Sequence, residues 1–263
     1  MATYLDAILA AHRAAAAEDR RSTGELAERA RAMPAARGFR AALAAGDRLA
    51  VISEVKRRSP SKGPLAPDLD PAALARAYAS GGAACLSVLT DEDHFGGSAA
   101  DLAAARTAVD LPVLRKDFTV SANDVCDARL MGADCVLLIA AALDDAELTD
   151  FAALAADVGL DVLVEVHDEE ELERALACTD GSLVGVNQRD LVTFEVDQER
   201  AVRMAGVMPE GTVRVAESGV RGRDDALALA AAGYHAVLVG EHLVTSGDPA
   251  AALAELRVPL RGT

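Results

Sequence analysis

The sequence predicts an α/β fold, a (β/α)8 barrel of the TIM type carrying an N-terminal helical extension. Three observations predict it. From position 49 onward, short apolar runs alternate with amphipathic stretches at intervals of roughly 20 to 30 residues, the pattern of βα units on a parallel sheet. Eight such units fit into about 210 residues, which suits a closed barrel better than an open doubly wound sheet. The chain of 263 residues is 51% hydrophobic yet only 3% aromatic and lacks Trp. Its core must therefore be built from Ala, Leu and Val, as helices on a buried parallel sheet require.

Taken in order, residues 3–33 read as one or two helices. Leu5, Ile8 and Leu9 form an apolar stripe, and Ser22-Thr23-Gly24-Glu25 supplies a cap that restarts the helix. Residues 1–48 are assigned as the extension, and the whole of 1–263 as one barrel domain. Strands are expected at 49–55, 84–89, 112–115, 135–139, 161–166, 183–186, 213–216 and 236–239. Helices are expected to begin near Pro71, Ser98, Ser121, Asp144, Asp168, Asp197, Gly222 and Pro249. Most of these starts carry acidic or hydroxyl side chains, which satisfy the free N–H groups of a first helical turn. No Gly-x-Gly-x-x-Gly dinucleotide fingerprint interrupts the series.

Composition removes several classes of function. The formal charge of −16 and the scarcity of aromatics argue against nucleic acid, which would be repelled and would find few stacking partners. An anionic ligand must therefore meet a focused positive site. No run approaches the roughly 18 apolar residues of a membrane span, and the start of the chain has no basic segment followed by an apolar one. Cys85, Cys126, Cys135 and Cys178 are dispersed in apolar or helical surroundings, as free thiols of a reducing compartment would be. A cytoplasmic protein without membrane contact is expected. The five histidines fall into no recognised ligand spacing, so no metal is expected.

Barrels of this class carry their chemistry at the C-terminal ends of the strands, and polar residues collect there. Glu54 and Lys56 follow the first strand, and a period of two places them on one face. Asp91 to Gly97 follow the second, Arg115-Lys116-Asp117-Phe118 the third, Glu165-Val166-His167 the fifth and Asn187 to Leu191 the sixth. Glu217-Ser218-Gly219 and Gly240-Glu241 close the seventh and eighth. The fourth stays apolar through Leu137 and Ile139, a wall for an apolar part of a ligand. Of 26 basic residues only Lys56, Lys62 and Lys116 are lysines, and all three fall at this end. Lysine, unlike arginine, can give up its proton, so their placement points to proton transfer.

With those tips in place the chain resembles the indole-3-glycerol phosphate synthase family over nearly its whole length. Six strings in order carry the resemblance: Glu-Val-Lys-Arg-Arg-Ser-Pro-Ser at 54–61, Leu-Thr-Asp-Glu-Asp-His-Phe-Gly-Gly-Ser at 89–98, Pro-Val-Leu-Arg-Lys-Asp-Phe at 112–118, Val-Glu-Val-His at 164–167, Gly-Val-Asn-Gln-Arg-Asp-Leu at 185–191 and Ala-Glu-Ser-Gly-Val at 216–220. The resemblance implies ring closure of 1-(2-carboxyphenylamino)-1-deoxyribulose 5-phosphate to indole-3-glycerol phosphate, with loss of CO2 and water. It implies no cofactor and a phosphorylated small molecule as partner. A monomer is expected.

For that chemistry Lys116 is a suitable acid at the ribulose carbonyl, and Lys56 could hold the substrate carboxylate and assist loss of the hydroxyl. Which lysine serves which step is left open. Glu165, flanked by Val164 and Val166, is expected to be a base with its pKa raised by an apolar setting. Glu54 would orient Lys56, and Asn187 would bind a substrate hydroxyl. The phosphate is expected at Gly219, Gly240 and Glu241, helped by Ser218, Arg189 and Ser59. Phe95, Phe118, Leu137, Ile139 and Leu191 would enclose the anthranilate ring. Glu217 stands with the substrate-binding residues or braces the lysines. Arg57 and Arg58 are expected to raise the local positive potential, residues 61–63 to form a flap, and Gln188 and His242 to affect the phosphate fit. Two alternatives remain at this point. One is a phosphoribosylanthranilate isomerase, whose chemistry would need a Cys and an Asp at barrel tips; the other is a paralogue that binds without turnover.

Overall fold

Eight parallel strands close on themselves around a core that changes character from bottom to top. The structure, a computed structural model, describes residues 4–60, 62–190 and 195–260. The strands are β1 (Ala50–Val55), β2 (Cys85–Leu89), β3 (Val113–Lys116), β4 (Cys135–Ile139), β5 (Asp161–Val166), β6 (Leu183–Asn187), β7 (Val213–Glu217) and β8 (Ala236–Val239). Each pairs in parallel with its sequence neighbour, and β1 pairs with β8 to complete the barrel. Such closure leaves no strand edge unpaired.

Eight helices alternate with the strands: α4 (Pro71–Gly81), α5 (Ala99–Ala108), α6 (Ala122–Leu130), α7 (Asp145–Asp157), α8 (Glu169–Cys178), α9 (Gln198–Ala205), α10 (Arg223–Ala232) and α11 (Pro249–Leu256). The residues expected to start them act as caps. Ser98, Ser121, Asp144, Asp168 and Asp197 accept hydrogen bonds from first-turn amides, and Asp144 with Glu147 forms a reciprocal capping box.

Alternation along the strands divides the apolar residues into two layers. Val51, Leu86, Val136, Val164 and Val237 face outward to the helices. Ile52, Cys85, Leu114, Leu137, Leu163, Val215 and Leu238 face into the barrel. Both layers are buried, so the lower barrel is a packed core rather than a channel.

Upstream of β1 the chain runs from the top of the barrel to its bottom. Helix α1 (Tyr4–Glu18) spans the upper rim, where Arg13 pairs with Glu147 at 2.7 Å. Helix α2 (Thr23–Arg31), capped by Ser22, descends beside α6; Thr23 donates to Asn123, and Arg21 pairs with Asp127 at 2.8 Å. Helix α3 (Phe39–Ala44), not anticipated from the sequence, inserts the fully buried Phe39 and Leu43 among the inward residues and plugs the lower end.

The strand ends differ from expectation in one consequential way. β3, β6 and β7 extend by one residue, through Lys116, Asn187 and Glu217, because these residues still pair across the sheet: Leu89 opposite Lys116 and Asn187 opposite Glu217. Their backbones are therefore fixed by the ladder rather than hung on loops. A small hairpin, Arg58–Ser59 against Gly63–Pro64, was also not anticipated. No helix among the described residues is long and apolar enough to cross a membrane.

Candidate active site

Following the inward positions upward, most strands pass from apolar residues to polar groups or, on β8, to glycine within two residues. Ile52 leads to Glu54 and Lys56, Leu114 to Lys116, Leu163 to Glu165, Leu183 and Gly185 to Asn187, Val215 to Glu217, and Leu238 to Gly240. β4 continues apolar, through Leu137 and Ile139, and β2 brings Leu89 to the cavity. The same period of two that builds the core thus aims the polar groups into one cavity of about 640 Å3 at the C-terminal face.

Every candidate among the described residues lines this cavity: Glu54, Lys56, Ser59, Phe95, Lys116, Phe118, Leu137, Ile139, Glu165, Asn187, Arg189, Glu217, Ser218, Gly219, Gly240 and Glu241. Leu191 and Ser61 lie outside the described residues. Room for two buried carboxylates comes from glycines. A Cβ on Gly185 would overlap Glu217 Oε1, and one on Gly240 would overlap Glu54 Oε2.

The floor of the cavity is a compact network of charge. Lys56 forms an ion pair with Glu54. Lys116 Nζ donates to Glu165 Oε2 at 3.1 Å and lies 4.0 Å from Glu217 Oε2. Asn187 Nδ2 donates to Glu165 Oε1 at 3.0 Å, while its own Oδ1 accepts from the Arg189 amide. His167 Nε2 stands 3.6 Å from Glu165 Oε1, its other nitrogen held by Glu171 at 3.0 Å. Glu165 is thus gripped on both oxygens.

These contacts overturn one expectation. Burial does push the Glu165 carboxyl up, as anticipated, but the Lys116 ammonium, the His167 imidazole and the Asn187 amide together outweigh burial and hold it below the ordinary carboxylate range. Glu217 is the carboxyl that is raised. Burial and repulsion from Glu165 push it well above its ordinary value, and the more distant Lys116 does not compensate. Burial alone would lower Lys116, yet Glu165, Glu217 and Glu54 around it keep the ammonium more firmly protonated than a free lysine. The resting site holds a charged acid beside a charged base.

One wall is apolar and aromatic. Phe95 and Phe118 face each other with ring centroids 6.3 Å apart, and Leu137, Ile139 and Leu238 continue the surface inward. Opposite, at the tips of β7 and β8, Ser218 (φ 64°) and Gly219 (φ 75°) take left-handed conformations, which turn the chain sharply at the cavity edge. Lys62, Arg189 and Arg221 also line the cavity, and Arg221 lies 3.4 Å from Asp225. Lys62 lies 3.9 Å from Glu241.

Several residues take parts other than those expected. Arg57 is spent on Asp101 and the Leu69 carbonyl, and Arg58 donates to the His94 carbonyl, so both brace loops rather than charge the pocket. Gln188 is buried and donates to the Ser218 carbonyl at 2.8 Å, holding the turn from behind. His242 does line the cavity. Sequence reasoning missed Arg221 and Gln198, which hydrogen-bond each other at 3.0 Å. A basic residue three places after Ser218 was the available signal. All four cysteines are free, and Cys85 and Cys135 open their strands at the end opposite the cavity. A reaction needing Cys at the tips has no thiol there among the described residues.

Comparison with known proteins bears on this arrangement. The family model described as indole-3-glycerol phosphate synthase matches residues 5–256. An indole-3-glycerol phosphate synthase of Mycolicibacterium vanbaalenii is 52% identical over 257 residues, covering 97% of this chain and 94% of that one. One from Micrococcus luteus is 54% identical over 236 residues, 88% of each chain. Among solved structures, a 3-hexulose-6-phosphate synthase superposes with a TM-score of 0.62 at 18% identity, covering 80% of this chain and 98% of that chain. The thiamine phosphate pyrophosphorylase from Pyrococcus furiosus gives 0.60 at 18% identity, covering 79% and 93%. These two share the barrel architecture alone.

Proposed function

The chain belongs to the indole-3-glycerol phosphate synthase family, and on that footing we propose how its cavity converts 1-(2-carboxyphenylamino)-1-deoxyribulose 5-phosphate into indole-3-glycerol phosphate, CO2 and water. The observation that supports the reading most is the contact of Lys116 with Glu165 on the cavity floor, an acid and a base within 3.1 Å of each other. The phosphate binds at the tips of β7 and β8, on Ser218, Gly219, Gly240 and Glu241, with Ser59 and Arg189 as further donors. The anthranilate ring lies between Phe95, Phe118, Leu137, Ile139 and Leu191. Lys56, oriented by Glu54, meets the substrate carboxylate, and Asn187 binds a ribulose hydroxyl.

Three steps then balance. The ring carbon bearing the carboxylate attacks the ribulose carbonyl, and the Lys116 ammonium protonates the oxygen that becomes a hydroxyl. CO2 leaves, and its electron pair restores the benzene ring. Finally the hydroxyl departs as water while Glu165 removes a proton from the neighbouring carbon, completing the indole. Lys56 can protonate the departing hydroxyl.

The electrostatics couple these steps. A carboxylate held low is a poor base, but it is held low chiefly by Lys116. Once Lys116 has given its proton to the substrate that restraint is gone, burial dominates, and Glu165 becomes more basic when a base is needed. Glu217, pushed up by burial and by Glu165, is the carboxyl of the two more inclined to keep a proton and so to donate a hydrogen bond. The reaction is tested by supplying the carboxyphenylamino substrate to purified protein. Growth of indole fluorescence supports the reading, and its absence at acid, neutral and alkaline pH refutes it.

A further inference from the structure

We propose that His12, Asp91 and His94 form a binding site for one divalent transition-metal ion of the zinc class, which ties α1 to the rim of the cavity. His12 Nε2 and His94 Nδ1 each lie 2.9 Å from Asp91 Oδ2, and the three atoms fall within 4.8 Å of one another. Asp91 cannot turn away, because its other oxygen accepts from the amides of His94 and Phe95. The rings are set by packing as well. His12 lies 5.4 Å from the Phe118 ring, and His94 meets Tyr4 edge-on at 6.1 Å.

Charge points to a cation. Asp91 is 5% exposed, and among the described residues no Lys or Arg forms an ion pair with it. The nearby Arg115 is committed to Asp117 at 2.9 Å and to Thr90. Asp117 Oδ1 also faces the cluster, 4.0 Å from His12 Nε2. Among the described residues the buried Asp91 carboxylate therefore has hydrogen bonds but no Lys or Arg as counter-charge. A divalent cation held between the three side chains would supply that charge.

The donor set selects the ion. Two imidazoles and one carboxylate suit Zn2+, Co2+ or Ni2+, whereas Mg2+ and Ca2+ require more oxygen ligands. The nitrogen-to-oxygen separations need to open only to about 3.3 Å, the edge of a tetrahedron with bonds of about 2.0 Å. Each ring then carries its proton on the nitrogen away from the metal. Solvent supplies the remaining ligands, since the two imidazole side chains are 24% and 22% exposed. Sequence spacing conceals the site because His12 and Asp91 are 79 positions apart.

The test is a Co2+ titration of the full chain without a histidine tag. Saturation of a visible Co2+ absorption band at one equivalent, reversed by Zn2+ and unaffected by Mg2+, is the expected result. Affinity should fall at least about tenfold in His12→Ala and, separately, in His94→Ala, the lower end of the loss seen when even the supports of a metal ligand are removed. As a readout independent of colour, Zn2+ should raise the melting temperature of the parent protein and of neither variant. Absence of saturable binding, or equal affinity in the parent and both variants, would overturn the proposal.

Discussion

Lys116 Nζ and Glu165 Oε2 lie 3.1 Å apart at the tips of strands that are not neighbours in the barrel, β3 and β5. Burial disfavours both charges, yet each group stabilises the other, so proton transfer at one changes the other's readiness to react. Replacing Lys116 by Met keeps much of the side chain's length and removes the proton. Turnover should fall by at least about a hundredfold, the scale of one general acid, with substrate still bound. Steady-state fluorescence together with a binding titration checks both parts.

Glu217 and Glu165 are both buried carboxyls, but their surroundings shift them in opposite directions. Glu217 is pushed well above its ordinary value by burial and by the neighbouring Glu165 carboxylate. Glutamine mimics a protonated carboxyl, so Glu217→Gln should retain turnover within about tenfold, whereas Glu165→Gln should lose at least about a hundredfold. Equal losses would mean that Glu217 acts as an anion.

Gly240 is required by a neighbour. In Gly240→Ala the new methyl would overlap Glu54 Oε2 and come within 3.0 Å of Lys56 Nζ, displacing their ion pair. A cost of about 1–3 kcal/mol is expected for the overpacking. Urea unfolding measures it, and KM should rise because the proposed substrate-carboxylate site on Lys56 is disturbed.

His12 makes the docking of α1 sensitive to pH. Its hydrogen bond to Asp91 raises its pKa, burial opposes this, and the charges of Asp117, Asp91 and Asp124 reinforce the rise; His94 shares the same carboxylate. A raised folded pKa contributes stability that is fully present below the unfolded value, near 6.5, and is lost as pH rises through the folded value. In chelated buffer His12→Ala should therefore lower the melting temperature more at mildly acid than at alkaline pH. The opposite order would show that the imidazole is neutral in the folded protein.

Much of this is legible in the sequence. The alternation of short apolar runs with capped helices sufficed for the barrel, and period-two logic sufficed to put Glu54 beside Lys56. The rarity of lysine drew attention to Lys56 and Lys116. What escaped depended on contacts between distant parts of the chain. The helix Phe39–Ala44 was missed because its apolar face is explained only by the open lower end of the barrel. The lowered Glu165 was missed because flanking valines report burial but not the ammonium supplied from β3. Arg57 and Arg58 look like free cations in sequence, and only the fold brings Asp101 and the His94 carbonyl to them. His12 belongs to the rim cluster for the same reason.

The assignment of Lys116 to ring closure and Glu165 to the final dehydration is tested most directly by following CO2 and indole separately in single-turnover reactions of the two variants. Glu165→Gln should release CO2 and accumulate the ring-closed hydroxy intermediate without forming indole, while Lys116→Met should release neither product. Indole formation by Glu165→Gln at the parent rate, or CO2 release by Lys116→Met at the parent rate, would contradict it.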